Sequence, residues 1–122
     1  MNAIGIMQGR LLPPRAGRIQ SFPADAWAEE FPRAAAAGLA CIEWIYDLET
    51  AEANPLASAA GLERVRAAAR AHGVGVRSVC ADYFMDRPLV RAGRADAEAW
   101  ARLRWLIARC AAIGVGYIVL PF

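Results

Sequence analysis

Gly73-Val74-Gly75-Val76-Arg77-Ser78-Val79-Cys80-Ala81-Asp82 is a glycine-flanked link, then an apolar run, then an acid. The run from Val76 to Ala81 reads as a strand. A helical pattern precedes it and ends at His72 and Gly73. Behind it comes a long loop, Asp82-Tyr83-Phe84-Met85-Asp86-Arg87-Pro88, and then a second helical pattern. A strand entered from a helix and left toward a helix belongs to a parallel sheet with right-handed crossovers.

The same unit recurs on both sides. Upstream, Ala3-Ile4-Gly5-Ile6-Met7 is a first strand and Cys41-Ile42-Glu43-Trp44-Ile45-Tyr46 a second. Downstream, Tyr117-Ile118-Val119-Leu120 is a fourth. A first helix spans about Asp25 to Ala37, with Trp27 and Phe31 four apart on one face. Pro32 should kink it or mark a register break, and Gly38 should cap its end. Ser58 can cap a second helix whose inward stripe is Leu62, Val65, Ala68 and Ala69. A third helix runs from near Asp96 to about Ile113, with Leu103, Leu106, Ile107, Cys110 and Ile113 at helical spacing. Trp27, Trp44, Trp100 and Trp105 read as core or helix–strand packing.

The connections are asymmetric. Helix-to-strand links are short: Gly38-Leu39-Ala40, Gly73-Val74-Gly75 and Gly114-Val115-Gly116. Strand-to-helix links are long, the first running from Gln8 to about Pro23. Long structureless loops are usually functional, and these follow the carboxyl ends of strands, where both barrels and open α/β sheets bind ligands. No G-x-G-x-x-G fingerprint follows a strand, which counts against an open nucleotide-binding sheet. A domain rarely stops on an apolar strand with no covering helix, and a (β/α)8 barrel needs roughly 250 residues. The expected fold is therefore a partial (β/α)8 TIM barrel: a β-α-β-α-β-α-β half-barrel of parallel strands occupying all 122 residues.

Composition narrows the function. Apolar residues are 57% of the chain, many of them alanine. The fourteen basic residues are all arginine, interleaved with acids for a net charge of +2. That is not the concentrated basic face of a nucleic-acid binder. Cys41, Cys80 and Cys110 have neither zinc-ligand nor redox spacing and read as reduced thiols of a cytoplasmic protein. The N-terminus shows no secretory pattern, and Cys110 to Phe122, the longest uncharged run, is too short for a bilayer.

The ordered set Ile4-Gly5-Ile6-Met7-Gln8-Gly9-Arg10-Leu11, Gly17-Arg18-Ile19-Gln20-Ser21-Phe22-Pro23, Gly38 with Ile42-Glu43-Trp44, His72-Gly73-Val74 and Ser78-Val79-Cys80-Ala81-Asp82-Tyr83-Phe84-Met85-Asp86 resembles the xylose isomerase-like barrel family. Within it, the set is similar to the sugar phosphate isomerase/epimerase branch. The resemblance implies isomerisation or epimerisation by proton transfer next to a carbonyl, assisted by a divalent metal. It also implies that the metal ligands and the acid/base pair come largely from the second half of the barrel. No metal ligand carries over onto this chain, which is expected to bind no metal alone.

Five residues are candidates for substrate binding. Glu43 lies inside an apolar strand, on one face with Cys41 and Ile45. A buried carboxylate needs a partner or a functional role. It either takes a substrate hydroxyl or pairs with an arginine. Asp82 shares a face with Ser78 and Cys80 at the rim, and Tyr83 follows it. That pair suits a sugar, whose hydroxyls donate to the acid and whose C–H faces lie on the ring; alternatively Asp82 caps nearby backbone N–H groups. Gln8 and Arg10 follow the first strand, where Arg10 either grips a phosphate or carboxylate or pins the loop. Arg15 and Arg18 read as solvated. His72 ends a helix, where its charge favours the dipole. Cys41 and Cys80 lie at opposite ends of the sheet and should not share a metal.

The expected partner is a small sugar or sugar phosphate, with no nucleic acid and no membrane. Open edges at the first and fourth strands favour a second reading, a non-enzymatic half-barrel that pairs with its own copy or with a complementing half-barrel. Abasic-site endonucleases share the fold but rely on several histidines around zinc, against one histidine here.

Overall fold

The computed structural model describes residues 2–15, 17–18 and 20–121. Strands β1 (Gly5–Met7), β2 (Cys41–Ile45) and β3 (Gly75–Cys80) alternate with helices α1 (Glu30–Ala36) and α2 (Ala59–His72). A single helical turn, α3 (Tyr83–Asp86), and a small antiparallel pair, β4 (Val90–Arg91) and β5 (Arg94–Ala95), follow. Helix α4 (Ala97–Ala112) and strand β6 (Tyr117–Val119) complete the order. The main sheet is parallel and runs β1-β2-β3-β6. Strand order follows chain order, so the sheet has no switch point of the kind that defines a doubly wound fold.

Register assigns the two faces of the sheet. Ile42 pairs with Val76 and Trp44 with Val79, all four buried. Glu43 pairs with Ser78 and Ile45 with Cys80 on the opposite face. An irregularity between Ile42 and Glu43 leaves Arg77 as the extra residue of β3 and keeps both faces in phase beyond it. The first face meets the helices. Trp44 is fully buried among Phe22, Trp27 and Phe31, with ring centroids 5.4, 5.6 and 6.3 Å away. Phe31 and Ala34 of α1, Leu62 and Val65 of α2, and Leu103, Leu106 and Cys110 of α4 share this core. Each large side chain so buried contributes roughly 1.5–3 kcal/mol. The other face is open: Cys41, Glu43 and Ser78 are half-buried, and Tyr117 and Val119 of β6 are 76% and 43% exposed.

Local chemistry sets the helix ends. Ser58 Oγ accepts from the Gly61 N–H at 2.9 Å, Gly73 leaves α2 at φ 66°, and Asp96 Oδ1 accepts from the Ala99 N–H at 2.9 Å. A β-carbon on Gly61 would lie 2.1 Å from the Pro55 carbonyl oxygen, so only glycine lets the 3₁₀ turn Pro55–Ala57 sit against α2.

Three expectations need correction. The first helix is shorter than residues 25–37: a 3₁₀ turn, Trp27–Glu29, gives way to α1 at Glu30, placing Pro32 in the first helical turn, where its missing N–H has no partner to lose. The loop after β3 is not structureless but holds α3 and the β4–β5 hairpin. Ile107 and Trp100, expected inward, are 51% and 39% exposed, because the core of α4 is supplied by Ala99, Leu103, Leu106 and Cys110. No helix among the described residues is long and apolar enough to cross a membrane.

Candidate functional site

The open face gathers polar side chains toward the carboxyl ends of β2 and β3. Ser78 Oγ donates to Glu43 Oε2 at 2.7 Å across the β2–β3 pair. Glu43 therefore has a hydroxyl partner and not the arginine that was its alternative. Two residues past Ser78, the Cys80 thiol donates to Asp82 Oδ1 at 3.3 Å. Asp82 Oδ2 accepts from Gln20 Nε2 at 2.6 Å. Asp82 begins α3 without any side-chain cap bond, so the capping alternative does not hold. Burial pushes the Cys80 thiol up to about 12, helped by its bond to Asp82 and by the negative charges of Asp82 and Glu43. It is an inert wall of the site rather than a nucleophile.

Gln20 reaches this cluster because the first loop is tied down along its length. Buried Glu30, the first residue of α1, accepts from the Gly9 N–H at 2.7 Å. Arg33 Nη1 donates to the Leu11 carbonyl at 2.9 Å. Arg15 pairs with Asp25 at 2.8 Å, and Arg18 pairs with Glu49, so neither is simply solvated. Buried Asp47 accepts from the Phe22 N–H at 3.1 Å through one oxygen and from the Thr50 N–H at 2.8 Å through the other. The loop is thus drawn over the strand ends. Ala16 and Ile19, within it, lie outside the described residues.

The remaining candidates fall elsewhere. Gln8 is fully buried; its Oε1 accepts from the Ile45 N–H at 2.8 Å, so it extends the β1–β2 ladder through its side chain. Its Nε2 is buried without a hydrogen-bond partner among the described residues. Arg10 is exposed. Tyr83 is parted from Asp82 despite being next to it: its ring lies tilted against Tyr46 at 5.4 Å and meets Phe84 edge-on at 5.2 Å, under the Arg102 guanidinium at 5.4 Å. Tyr46 in turn meets Trp105 of α4 at 5.8 Å, so this group belongs to the helix side of the sheet. An apolar cleft of about 390 Å³, lined by Phe84, Met85, Leu89, Val90 and Leu120, lies away from the polar cluster. His72 is exposed at the end of α2. Cys41 and Cys80 stand at opposite ends of β2 and β3, with Cys41 opposite Gly75 and Cys80 opposite Ile45.

Sequence reading missed Gln20, Glu30 and Asp47. Gln20 joins a residue 62 positions away, which leaves no local trace. Glu30 and Asp47 carried a usable signal: each is an acid among aromatic residues, Glu30 before Phe31 and Asp47 after Tyr46. Among the described residues no three His, Cys, Asp or Glu side chains are placed to hold a metal ion together. No protein-family model matches the chain, and no curated protein matches it. Fold and site together define a parallel α/β domain with a polar cluster on the open face of its sheet.

Proposed function

We propose that this chain is one half of a (β/α)8 barrel of the xylose isomerase-like kind and supplies part of the rim that binds a sugar or sugar phosphate. The observation that carries this reading is the adjoining pair of contacts, Ser78–Glu43 and Gln20–Asp82, on the open face of a sequentially ordered parallel sheet. Carboxylates that keep unused lone pairs accept from sugar hydroxyls, and the amide and hydroxyl beside them fix the orientation. In this reading the chemistry is proton transfer next to a carbonyl. The divalent metal and the acid/base pair belong to strands of the complementary half, so the chain alone holds its ligand without turning it over.

Incubation with divalent metal and a panel of ketoses tests the division of labour: no isomer should form. Turnover by this polypeptide alone would overturn it. Binding is tested separately by amide chemical shifts in the presence of a polyol. Shifts at Glu43, Ser78 and Asp82 are expected, and their absence at saturating polyol would sink the sugar-site reading.

A second reading has its own observation. β6 ends the sheet with Tyr117 and Val119 exposed, beside exposed Ile107. An unpaired apolar edge favours association, with another copy or with a complementing half-barrel. A dispersed monomer in sedimentation at high concentration would count against it.

A further inference from the structure

The arginines divide by whether an acid answers them. Arg15, Arg18, Arg66, Arg70 and Arg91 pair with Asp25, Glu49, Glu63 and Asp96. Arg102 and Arg109 of α4 are half-buried and form no ion pair among the described residues. They stand three residues before and four after Trp105, the spacing of one helix face. Their guanidinium carbons lie 5.2 and 5.5 Å from the Trp105 ring centre. The ring attracts both cations and neutralises neither.

Arg102 is also fixed in direction. It lies 5.4 Å over the Tyr83 ring, and its Nη1 donates to the Tyr46 hydroxyl at 3.1 Å. Tyr46 is fully buried, and burial pushes its hydroxyl above the ordinary value of 10.0. At neutral pH it therefore accepts from Arg102 without cancelling the charge. A guanidinium held in this way needs little further ordering to bind a ligand. Two open clefts, of about 490 and 390 Å³, share Tyr83, Arg102 and Trp105 as walls. Those volumes suit small ligands. The other walls are mainly apolar: Ala101 in the larger, Leu48, Ala51 and Ala57 in the smaller. Each cleft has one acid, Glu98 in the larger and Glu52 in the smaller. Both acids are exposed and screened by water, whereas Arg102 is held half-buried.

We propose that the clefts sharing Arg102 bind a small organic oxyanion, a carboxylate or phosphate carried on an apolar body. The oxyanion takes the guanidinium of Arg102. Arg109 adds attraction from beyond Trp105, and the apolar body lies against Tyr83, Trp105 and the aliphatic walls. The Tyr46–Tyr83–Trp105 group belongs to the helix side of the sheet, so this site is separate from the Glu43–Ser78 cluster and does not depend on the sugar reading.

The test is a titration of the chain with benzoate, phenyl phosphate and neutral benzyl alcohol. It is followed through the Arg102 Nε–H, the Trp105 indole N–H and the backbone amides of Tyr83 and Arg102. At low ionic strength at least one anion should bind at least about tenfold more tightly than the alcohol, the worth of one hydrogen bond to a charged group. The tighter anion identifies the oxyanion. Arg102→Gln should close the margin, and Arg109→Gln should weaken both anions by about two- to threefold. In the wild-type chain the margin should also narrow in about 0.5 M salt, a readout that needs no variant. Benzyl alcohol binding as tightly as both anions would overturn the proposal. So would a margin that survives salt or Arg102→Gln, or shifts at Glu43 and Ser78 in place of those at Tyr83, Arg102 and Trp105. No shift with any of the three ligands would overturn it too and leave the sugar reading untouched.

Discussion

Gln20 Nε2 lies 2.6 Å from Asp82 Oδ2, joining the loop after the first strand to the end of the third. The contact spans the end of β2 and is the one direct side-chain link between the first loop and β3 among the described residues, apart from the weaker approach of the same amide to Cys80 Sγ at 3.8 Å. It makes the loop part of the site: Gln20 holds one oxygen of Asp82 while the Cys80 thiol holds the other.

Gln20→Ala should therefore act at both ends. A hydrogen bond to a carboxylate is worth about 1.5–3 kcal/mol when buried; Gln20 is half-buried, so a loss near the low end of about 1–2 kcal/mol is expected by urea unfolding. Trypsin should cut faster at Arg15 and Arg18 in the folded variant, since the loop has lost its anchor at Asp82. Unchanged cutting at both arginines would show that the Asp25 and Glu49 pairs hold the loop unaided.

The cysteines give a chemical readout of burial. Burial pushes Cys80 and Cys110 each up to about 12. At pH 8 roughly one such thiol in ten thousand is ionised, and the thiolate is the reactive form. Iodoacetamide on the native chain should thus label half-buried Cys41 well before the other two. Asp82→Asn removes a negative charge from beside Cys80 and should speed its labelling while leaving Cys110 unchanged. Labelling of Cys80 as fast as Cys41 in the native chain would contradict the closed wall described for it.

Glu30 predicts a slope of stability with pH. Its carboxyl is held above its ordinary value of 4.5, chiefly by burial, against the lowering effects of the Gly9 and Leu11 N–H groups and of Arg15 and Arg33. The folded chain thus keeps this proton at pH values where the unfolded chain has released it. This favours the folded state in full below the ordinary value, and the benefit is lost as pH rises through the raised one. Its Oε1 has no hydrogen-bond partner among the described residues, which adds to the cost of ionisation there. In urea titrations from pH 4 to 8, the wild-type chain should lose stability relative to Glu30→Gln as pH rises. Parallel curves for the two proteins would exclude Glu30 as the source.

What could be read in advance follows from how local each signal is. Ser58 with Gly73, and Asp96 ahead of its apolar stripe, are capping patterns complete within a few residues, and α2 and α4 lie where those residues place them. Parallel strands were legible from short glycine links before each apolar run. Closure of the sheet into a barrel is a long-range property, and sequential strand order is compatible with it without establishing it. Glu43 stood out because a charge interrupted a strand; its partner Ser78 was hidden, since cross-strand pairing depends on a register that shifts at Arg77. Tyr83 misled because neighbours in sequence point to different layers once Asp82 begins a helical turn. The β4–β5 hairpin escaped notice for a simpler reason: its turn is Ala92-Gly93 and not the usual Asn-Gly or Asp-Gly.

That turn carries the last expectation. Ala92 and Gly93 have φ of 50° and 74°, the paired left-handed geometry of a tight hairpin. Gly93 adopts it freely, whereas Ala92 is the one non-glycine residue with positive φ among the described residues. The left-handed region costs an alanine roughly 1–2 kcal/mol. Glycine in its place relieves that cost but adds about 0.4–1 kcal/mol of chain entropy to the unfolded state. Ala92→Gly should therefore stabilise the chain by about 0.5–1 kcal/mol, the difference of these two effects. Ala92→Asn should do similarly, since asparagine tolerates this region and keeps a side chain. Both residues of the turn are exposed, so neither variant changes packing. Thermal unfolding of the two variants decides the matter. A fall in midpoint for both would mean that β4 and β5 do not pair around this turn in solution.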